Sequence, residues 1–201
     1  VSTRIDIKTS SNVTSISTAK LMKTGQTISY LTGDDGDIEA GRNTNFTTLA
    51  ENNPFGNTNR FTDELGGATY TNNIVIDWST YDGATVLGWY RVNNGIDINW
   101  AGAIAGALAT SIGTFTTGWR LPNATELFSL LIWSGVLPLN YSPFNLSSTV
   151  AYWTGTNNAT SALAVTNNLT LNMFRFITKT TSASHRYIPC RVFTVTGTTL
   201  S

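Results

Sequence analysis

The sequence contains one histidine, His185, and one cysteine, Cys190. Either residue type can anchor a chemistry, but both lack the company that chemistry needs. A hydrolytic triad or a zinc site requires a histidine surrounded by a carboxylate, a nucleophile or further ligands. The segment carrying His185 supplies no carboxylate, because all twelve acidic residues lie between Asp6 and Glu126. Eight Lys and Arg accompany those twelve acids in the first 126 residues, a charge of −4. The remaining 75 residues carry Arg175, Lys179, Arg186 and Arg191 and no acid, a charge of +4. His185 therefore reads as a surface or ligand-rim imidazole. Cys190 alternates with Ile188 and Val192, the period of a strand, and reads as a small inward-packed residue rather than a nucleophile.

Carboxylate chemistry fares no better. Asp34, Asp35 and Asp37 surround Gly36, but their spacing is not that of an EF-hand and no bidentate Glu stands at the right distance. Asp and Gly are also what tight turns use, and the cluster reads as a turn. Glycoside hydrolysis needs two juxtaposed carboxylates, and nothing in the spacing pairs any two. Arg120, beside Trp119, reads as a structural arginine that satisfies backbone carbonyls or Glu126. The expectation is no catalytic residue, no metal and no cofactor.

Composition narrows the partners. Charged residues make up 12%, and Asn, Thr, Ser and Gly fill the polar positions. Such a surface hydrogen-bonds without strong fields, as expected of virion, cell-surface or secreted proteins. Zero net charge and the lack of a Lys/Arg run argue against nucleic acid. No apolar run approaches membrane-span length, so membrane insertion is not expected. Val1-Ser2-Thr3-Arg4-Ile5-Asp6 does not have the form of a signal peptide. One cysteine permits no intramolecular disulfide, so packing must hold the core. Asn-x-Ser/Thr triplets, among them those at Asn12, Asn45, Asn123, Asn145, Asn158 and Asn168, arise by chance in this Asn/Thr-rich chain, and the one at Asn123 is committed to helix capping.

The elements that position these residues centre on Gly118-Trp119-Arg120-Leu121-Pro122-Asn123-Ala124-Thr125-Glu126-Leu127. Asn123 is a good N-cap and Glu126, three residues on, completes a capping box. Pro122 ends the extended segment before it. Leu127, Leu130 and Leu131 then recur at helical spacing, predicting a helix over 124–133. A second helix is predicted over 98–110, where Trp100, Ile104 and Leu108 fall at i, i+4 and i+8 with small residues between. Ile74-Val75-Ile76-Asp77-Trp78 and Val86-Leu87-Gly88-Trp89-Tyr90-Arg91-Val92 read as strands. Further strands are predicted near 150–154, 161–166, 171–178 and 186–195, the middle two joined by a turn at Asn167-Asn168. Trp100, Trp119 and Trp133 read as core-facing, Trp89 and Trp153 as partly exposed. Residues 1–20 form an arm or edge strand, either a partly ordered terminus or an oligomerisation arm. Residues 21–66 are turn-rich, and 21–201 is expected to be one α+β domain.

Several blocks, taken in order, resemble the Lcl-type C-terminal domain family of bacteria and phages, which has a C-type-lectin-like fold. They are Lys23-Thr24-Gly25-Gln26-Thr27, Asp34-Asp35-Gly36-Asp37-Ile38, Arg60-Phe61-Thr62-Asp63, Asn99-Trp100-Ala101-Gly102-Ala103-Ile104, Trp119-Arg120-Leu121-Pro122-Asn123 with Glu126-Leu127, Tyr152-Trp153-Thr154-Gly155-Thr156, and Tyr187-Ile188-Pro189-Cys190-Arg191-Val192. The resemblance runs from about residue 22 to 193. It departs from the family at Gly66-Gly67-Ala68-Thr69-Tyr70 and at the first strand, where a Gly-Thr-Val and a Thr-Gly-Leu-Met-Trp pattern are usual. The Glu-Pro-Asn, Gln-Pro-Asp and Trp-Asn-Asp triplets of calcium-binding lectins are absent, so calcium-dependent sugar binding of that type is not implied. Sulfatase-activating oxidases share the general fold, but their chemistry needs a cysteine pair.

The same fold resembles the display scaffold of variable proteins made by diversity-generating retroelements. There the hypervariable positions lie in the last strands and loops, between a Tyr-Trp-like and an Arg-Val-like block, an interval that corresponds here to residues 154–186. Short polar side chains on a rigid sheet give adaptable hydrogen bonding, with cations and an aromatic as anchors. The resemblance thus implies a ligand-binding face carrying Trp153, Asn157, Asn158, Asn172, Arg175, Lys179 and His185. The function expected is non-enzymatic recognition of a cell-surface glycan or protein receptor, with display on a phage particle or cell surface. The alternative is a structural virion component (capsid, decoration or fibre) acting through assembly contacts. Either reading implies a homo-oligomer or a larger surface assembly.

Overall fold

The computed structural model describes residues 32, 48–49, 51–92, 94–130, 143–144, 146, 150–158, 163–168, 173–181 and 183–201. The arm at 1–20, the turn at 34–37, Leu131, Trp133 and Asn172 lie outside the described residues. Within them the chain runs β1 (Phe61–Thr62), β2 (Ile74–Asp77), a 3-10 turn (Trp78–Thr80), β3 (Thr85–Tyr90), α1 (Trp100–Leu108) and α2 (Ala124–Phe128). It continues through β4 (Ala151–Asn157), β5 (Leu163–Asn168), β6 (Met173–Thr178), β7 (His185–Arg186), β8 (Cys190–Thr196) and β9 (Thr199–Leu200). The fold is α+β, with two sheets of order β1-β2-β3-β8-β9 and β6-β5-β4-β7. Their strand pairs are antiparallel except β4–β7, which is parallel.

The unbroken apolar run of β2 is explained by burial on both faces of the first sheet. Val75 packs with Leu87, Trp89 and Cys190 on one side, and Ile74 and Ile76 pack with Val86 and Phe193 on the other. The first of these clusters also takes Leu127 and Leu130 from the α2 region, Tyr152 from β4 and Val150 just before it, and so joins the two sheets. Gly88 makes room in β3: a Cβ there would meet the Phe193 ring at 2.4 Å.

The second helix begins where the sequence predicts, and α1 begins at Trp100, two residues after the expected 98. Asn123 Oδ1 accepts the Glu126 N–H at 2.8 Å while Glu126 Oε2 accepts the Asn123 N–H at 2.7 Å, a complete capping box. Asn99 caps α1 by accepting the Gly102 N–H at 2.9 Å. The helical residues of α2 end at Phe128, earlier than expected, with Ser129 as C-cap.

Three expectations are corrected. First, the buried stripe of α1 is Ala103 and Ala107; Trp100 and Ile104 are partly buried, and Leu108 is 64% exposed. The helix lies close on the second sheet and on Tyr187, so small residues face inward; a Cβ on Gly106 would sit 2.2 Å from the Tyr187 hydroxyl. Second, Asn167 and Asn168 are strand residues, in register with Phe174 and Met173, because pairing with β6 overrides their turn preference. Third, Trp89 and Trp153 are fully buried rather than partly exposed. Polar, turn-rich sequence flanks both, but their packing partners come from distant segments.

Candidate functional site

The site that the described C-terminal residues build is a rim along the side of the second sheet crossed by residues 94–100, which bond His185 of β7, Thr154 of β4 and Lys179 after β6. Strand register places Trp153, Thr166 and Arg175 in one cross-strand row. Ala151, two positions from Trp153 on the same face, pairs with His185. That face is covered centrally by α1, through Ala103, Ala107, Trp153 and Ala164. Polar groups are left at its margin.

Lys179 follows β6, and its Nζ stands 4.6 Å above the Trp100 ring centroid. The same Nζ donates to Asn157 Oδ1 at 3.2 Å. Trp100 is fixed from two directions: its backbone N–H donates to the Lys179 carbonyl at 3.1 Å, and its indole Nε1 donates to the Thr154 carbonyl at 2.9 Å. Trp153 is equally fixed, its Nε1 donating to the Ile98 carbonyl at 2.7 Å. The His185 ring lies against the Trp153 ring, centroids 5.0 Å apart. His185 Nδ1 is 2.6 Å from the Ala183 carbonyl, an acceptor, so Nδ1 carries the proton in the neutral ring.

Of the predicted binding residues, the structure joins Asn157 to Lys179 and His185 to Trp153. Asn157, Asn158 and Arg175 are exposed, and Lys179 and His185 are half-buried. Trp153 is correctly placed in the fold but wrongly expected at the surface. It is a buried support beneath His185, and Trp100 takes the rim position instead.

Sequence reasoning also missed Asp97. Its carboxylate accepts the Ser184 N–H at 2.9 Å and Arg186 Nε at 3.2 Å, across 87 and 89 positions of sequence. The Ser184 N–H, and then Arg186, hold its carboxyl below the usual range. The carboxylate lacking in the His185 segment is therefore supplied by the fold, though it bonds the neighbours of His185 rather than its ring. The available sequence signal was weak: one acid in a Gly- and Asn-rich stretch before a helix.

A second polar cluster lies under the α2 cap. Arg120 donates to Glu126 through Nη1 at 2.8 Å and Nη2 at 2.7 Å, to the Leu121 carbonyl at 3.1 Å, and to Cys190 Sγ at 3.3 Å. Backbone bonds of 2.9 Å in both directions also tie Arg120 to Cys190. Burial opposes the charge on Glu126, but the Arg120 and Asn123 bonds outweigh it and keep its carboxyl below the ordinary range. Burial pushes the Cys190 thiol well up, which leaves it protonated and unreactive. Arg120 is the structural arginine expected of it.

Comparison of the chain with protein-family models, with curated proteins and with solved structures returns no match. Among the described residues no group of His, Cys, Asp and Glu is placed to hold a metal ion, and no helix is long and apolar enough to cross a membrane.

Proposed function

We propose that the chain is a non-enzymatic recognition module of C-type-lectin-like architecture, related to the Lcl-type C-terminal domain family. In this reading it is displayed on a phage particle or cell surface and captures a glycan or protein receptor at the rim. The observation that carries the reading is the Lys179–Trp100–Asn157 arrangement. The cation and the amide come from the second sheet and the residues just after it, in a segment whose own residues include no acid, and the aromatic comes from the start of α1, bonded to the Lys179 and Thr154 carbonyls. Such donors suit an anionic or hydroxyl-rich ligand.

What supports the family reading is where its blocks fall. The Asn99 block caps α1, the Trp119–Arg120 block bonds the Cys190 block, and the Tyr152–Trp153 block forms the buried part of β4. The alternative, a structural virion component, is favoured by Phe174 and Phe176 on β6, which are 39% and 63% exposed.

The test is an array of neutral, sialylated and sulfated oligosaccharides probed with the intact chain and with an Arg175→Gln/Lys179→Gln double variant. Binding to an anionic member, weakened roughly tenfold or more in the double variant, is expected. Binding to no member, together with concentration-dependent assembly in sedimentation, would move the assignment to the assembly role.

A further inference from the structure

Residues 94–98 stitch down the segment that ends in β7. Asp97 Oδ2 takes the Ser184 N–H and Oδ1 takes Arg186 Nε. The Ile98 N–H donates to the His185 carbonyl at 2.8 Å. Asn94 Oδ1 accepts the Tyr187 N–H at 3.1 Å, and the Asn94 N–H donates to the Tyr187 carbonyl at 3.3 Å. Every residue from 184 to 187 is thus held from one short stretch 87 to 93 positions upstream.

Within that segment Ser184 has φ of 57°, a left-handed conformation that non-glycine residues adopt rarely and at a cost. Such a conformation persists when its surroundings over-determine it. Two bonds do so here: the Ser184 carbonyl accepts the Ala151 N–H at 2.9 Å, and its own N–H goes to Asp97. The β7 strand that follows pairs with β4 over two residues, too short a ladder to hold itself. Arg186 is the cation bonded to the Asp97 carboxylate, and the His185 imidazole stands beside them.

We propose that Asp97 is a positioning residue for the rim: its carboxylate latches residues 184–186 in the conformation that lays His185 on Trp153 and aims Arg186 along the rim. What the rim does rests on the recognition reading; the latch does not. Without the carboxylate, Ser184 leaves the left-handed region, β7 frays from β4, and His185 loses its stacking partner. Because Ser184 and Arg186 keep the carboxyl below its ordinary range, the latch stays closed at neutral and mildly acidic pH.

Amide hydrogen exchange on the intact chain tests this, comparing the parent with Asp97→Ala, Asp97→Asn and Asp97→Ala/Ser184→Gly. In Asp97→Ala the amides of Ser184, His185 and Arg186 should exchange roughly tenfold faster, while those of β2, β3 and β5 keep their protection. Asp97→Asn should fall between, and adding Ser184→Gly should restore part of the protection by removing the left-handed penalty. Unchanged exchange at 184–186 in a folded Asp97→Ala, or faster exchange throughout the chain in both Asp97 variants, would overturn the latch. On the same oligosaccharide array, Asp97→Ala should bind at least about tenfold more weakly than the parent if the latch positions the rim. Accelerated exchange with undiminished binding would overturn the positioning role. A parent chain that binds no oligosaccharide would instead sink the recognition reading, with the exchange result standing on its own.

Discussion

Two arginine–aspartate pairs occupy opposite environments in this molecule. Arg60 and Asp77, in the first sheet, are completely buried: Nε donates to Oδ1 at 2.8 Å and Nη2 to Oδ2 at 2.7 Å. The remaining capacity is used as well. Arg60 Nη2 donates to the Ser129 carbonyl at the end of α2, and Asp77 Oδ1 accepts the Ser79 N–H and hydroxyl. Arg186 and Asp97, at the rim, leave 26% and 41% of their side chains in water and meet through one bond. The same chemistry serves two ends. The buried pair locks β2 to α2 and is costly to break because either partner alone would be a buried uncompensated charge. The solvated pair adds little to global stability, and its value lies in where it puts the backbone.

The largest expected effect tests the buried side. Arg60→Ala or Asp77→Ala should cost about 3–5 kcal/mol in chemical denaturation, whereas an Arg60→Met/Asp77→Leu double change should recover much of that loss. A loss under about 1 kcal/mol for either single change would mean that the pair is effectively solvated, and the contrast with the rim would collapse. Next comes Gly88→Ala, which drives a methyl into the Phe193 ring and should cost about 1–3 kcal/mol by the same measurement.

Asn123→Ala, which removes half of the capping box, should cost roughly 0.5–2 kcal/mol. The other half has a pH signature. Glu126 titrates lower in the folded chain than its ordinary 4.5, so its stabilisation is present above that pH and is lost as pH falls through the folded value. The stability gap between the parent and Glu126→Gln should be constant above about pH 4.5 and shrink below it. A gap that widened in acid would reverse the sign of the argument. At the small end, Asp97→Ala should barely move the melting temperature while loosening residues 184–186, which is the sharpest form of the contrast. Chelation should leave the melting temperature where it is; a marked drop would reveal an ion held by the acids of the first part of the chain.

Much of the local structure was legible because its causes are local. The cap at Asn123, the strand at Ile74, the inward Cys190 and the Arg120–Glu126 pair depend on contacts within a few residues or on simple alternation. The candidate site was legible in part. Polar composition pointed to Asn157, Lys179 and His185, but the exposure of Trp153 and the role of Trp100 were exchanged, since each is decided by what the other segment covers. Likewise α1 showed its large apolar residues at helical spacing, yet the side that meets the sheet is the one narrow enough to approach it.

By itself the sequence determined the capped helix, the alternating strands, a core held without disulfides, and a C-terminal stretch with cations and no acid. Each follows from residue type and near-neighbour spacing. Only the tertiary structure decided which acid meets which base. Arg60 finds Asp77 across 17 positions, and Asp97 reaches Ser184 and Arg186 across 87 and 89. The physical reason is that a charge carries no local mark of its partner. Its pairing is set by the approach of two surfaces, and that approach is governed by the burial of apolar side chains elsewhere in the chain.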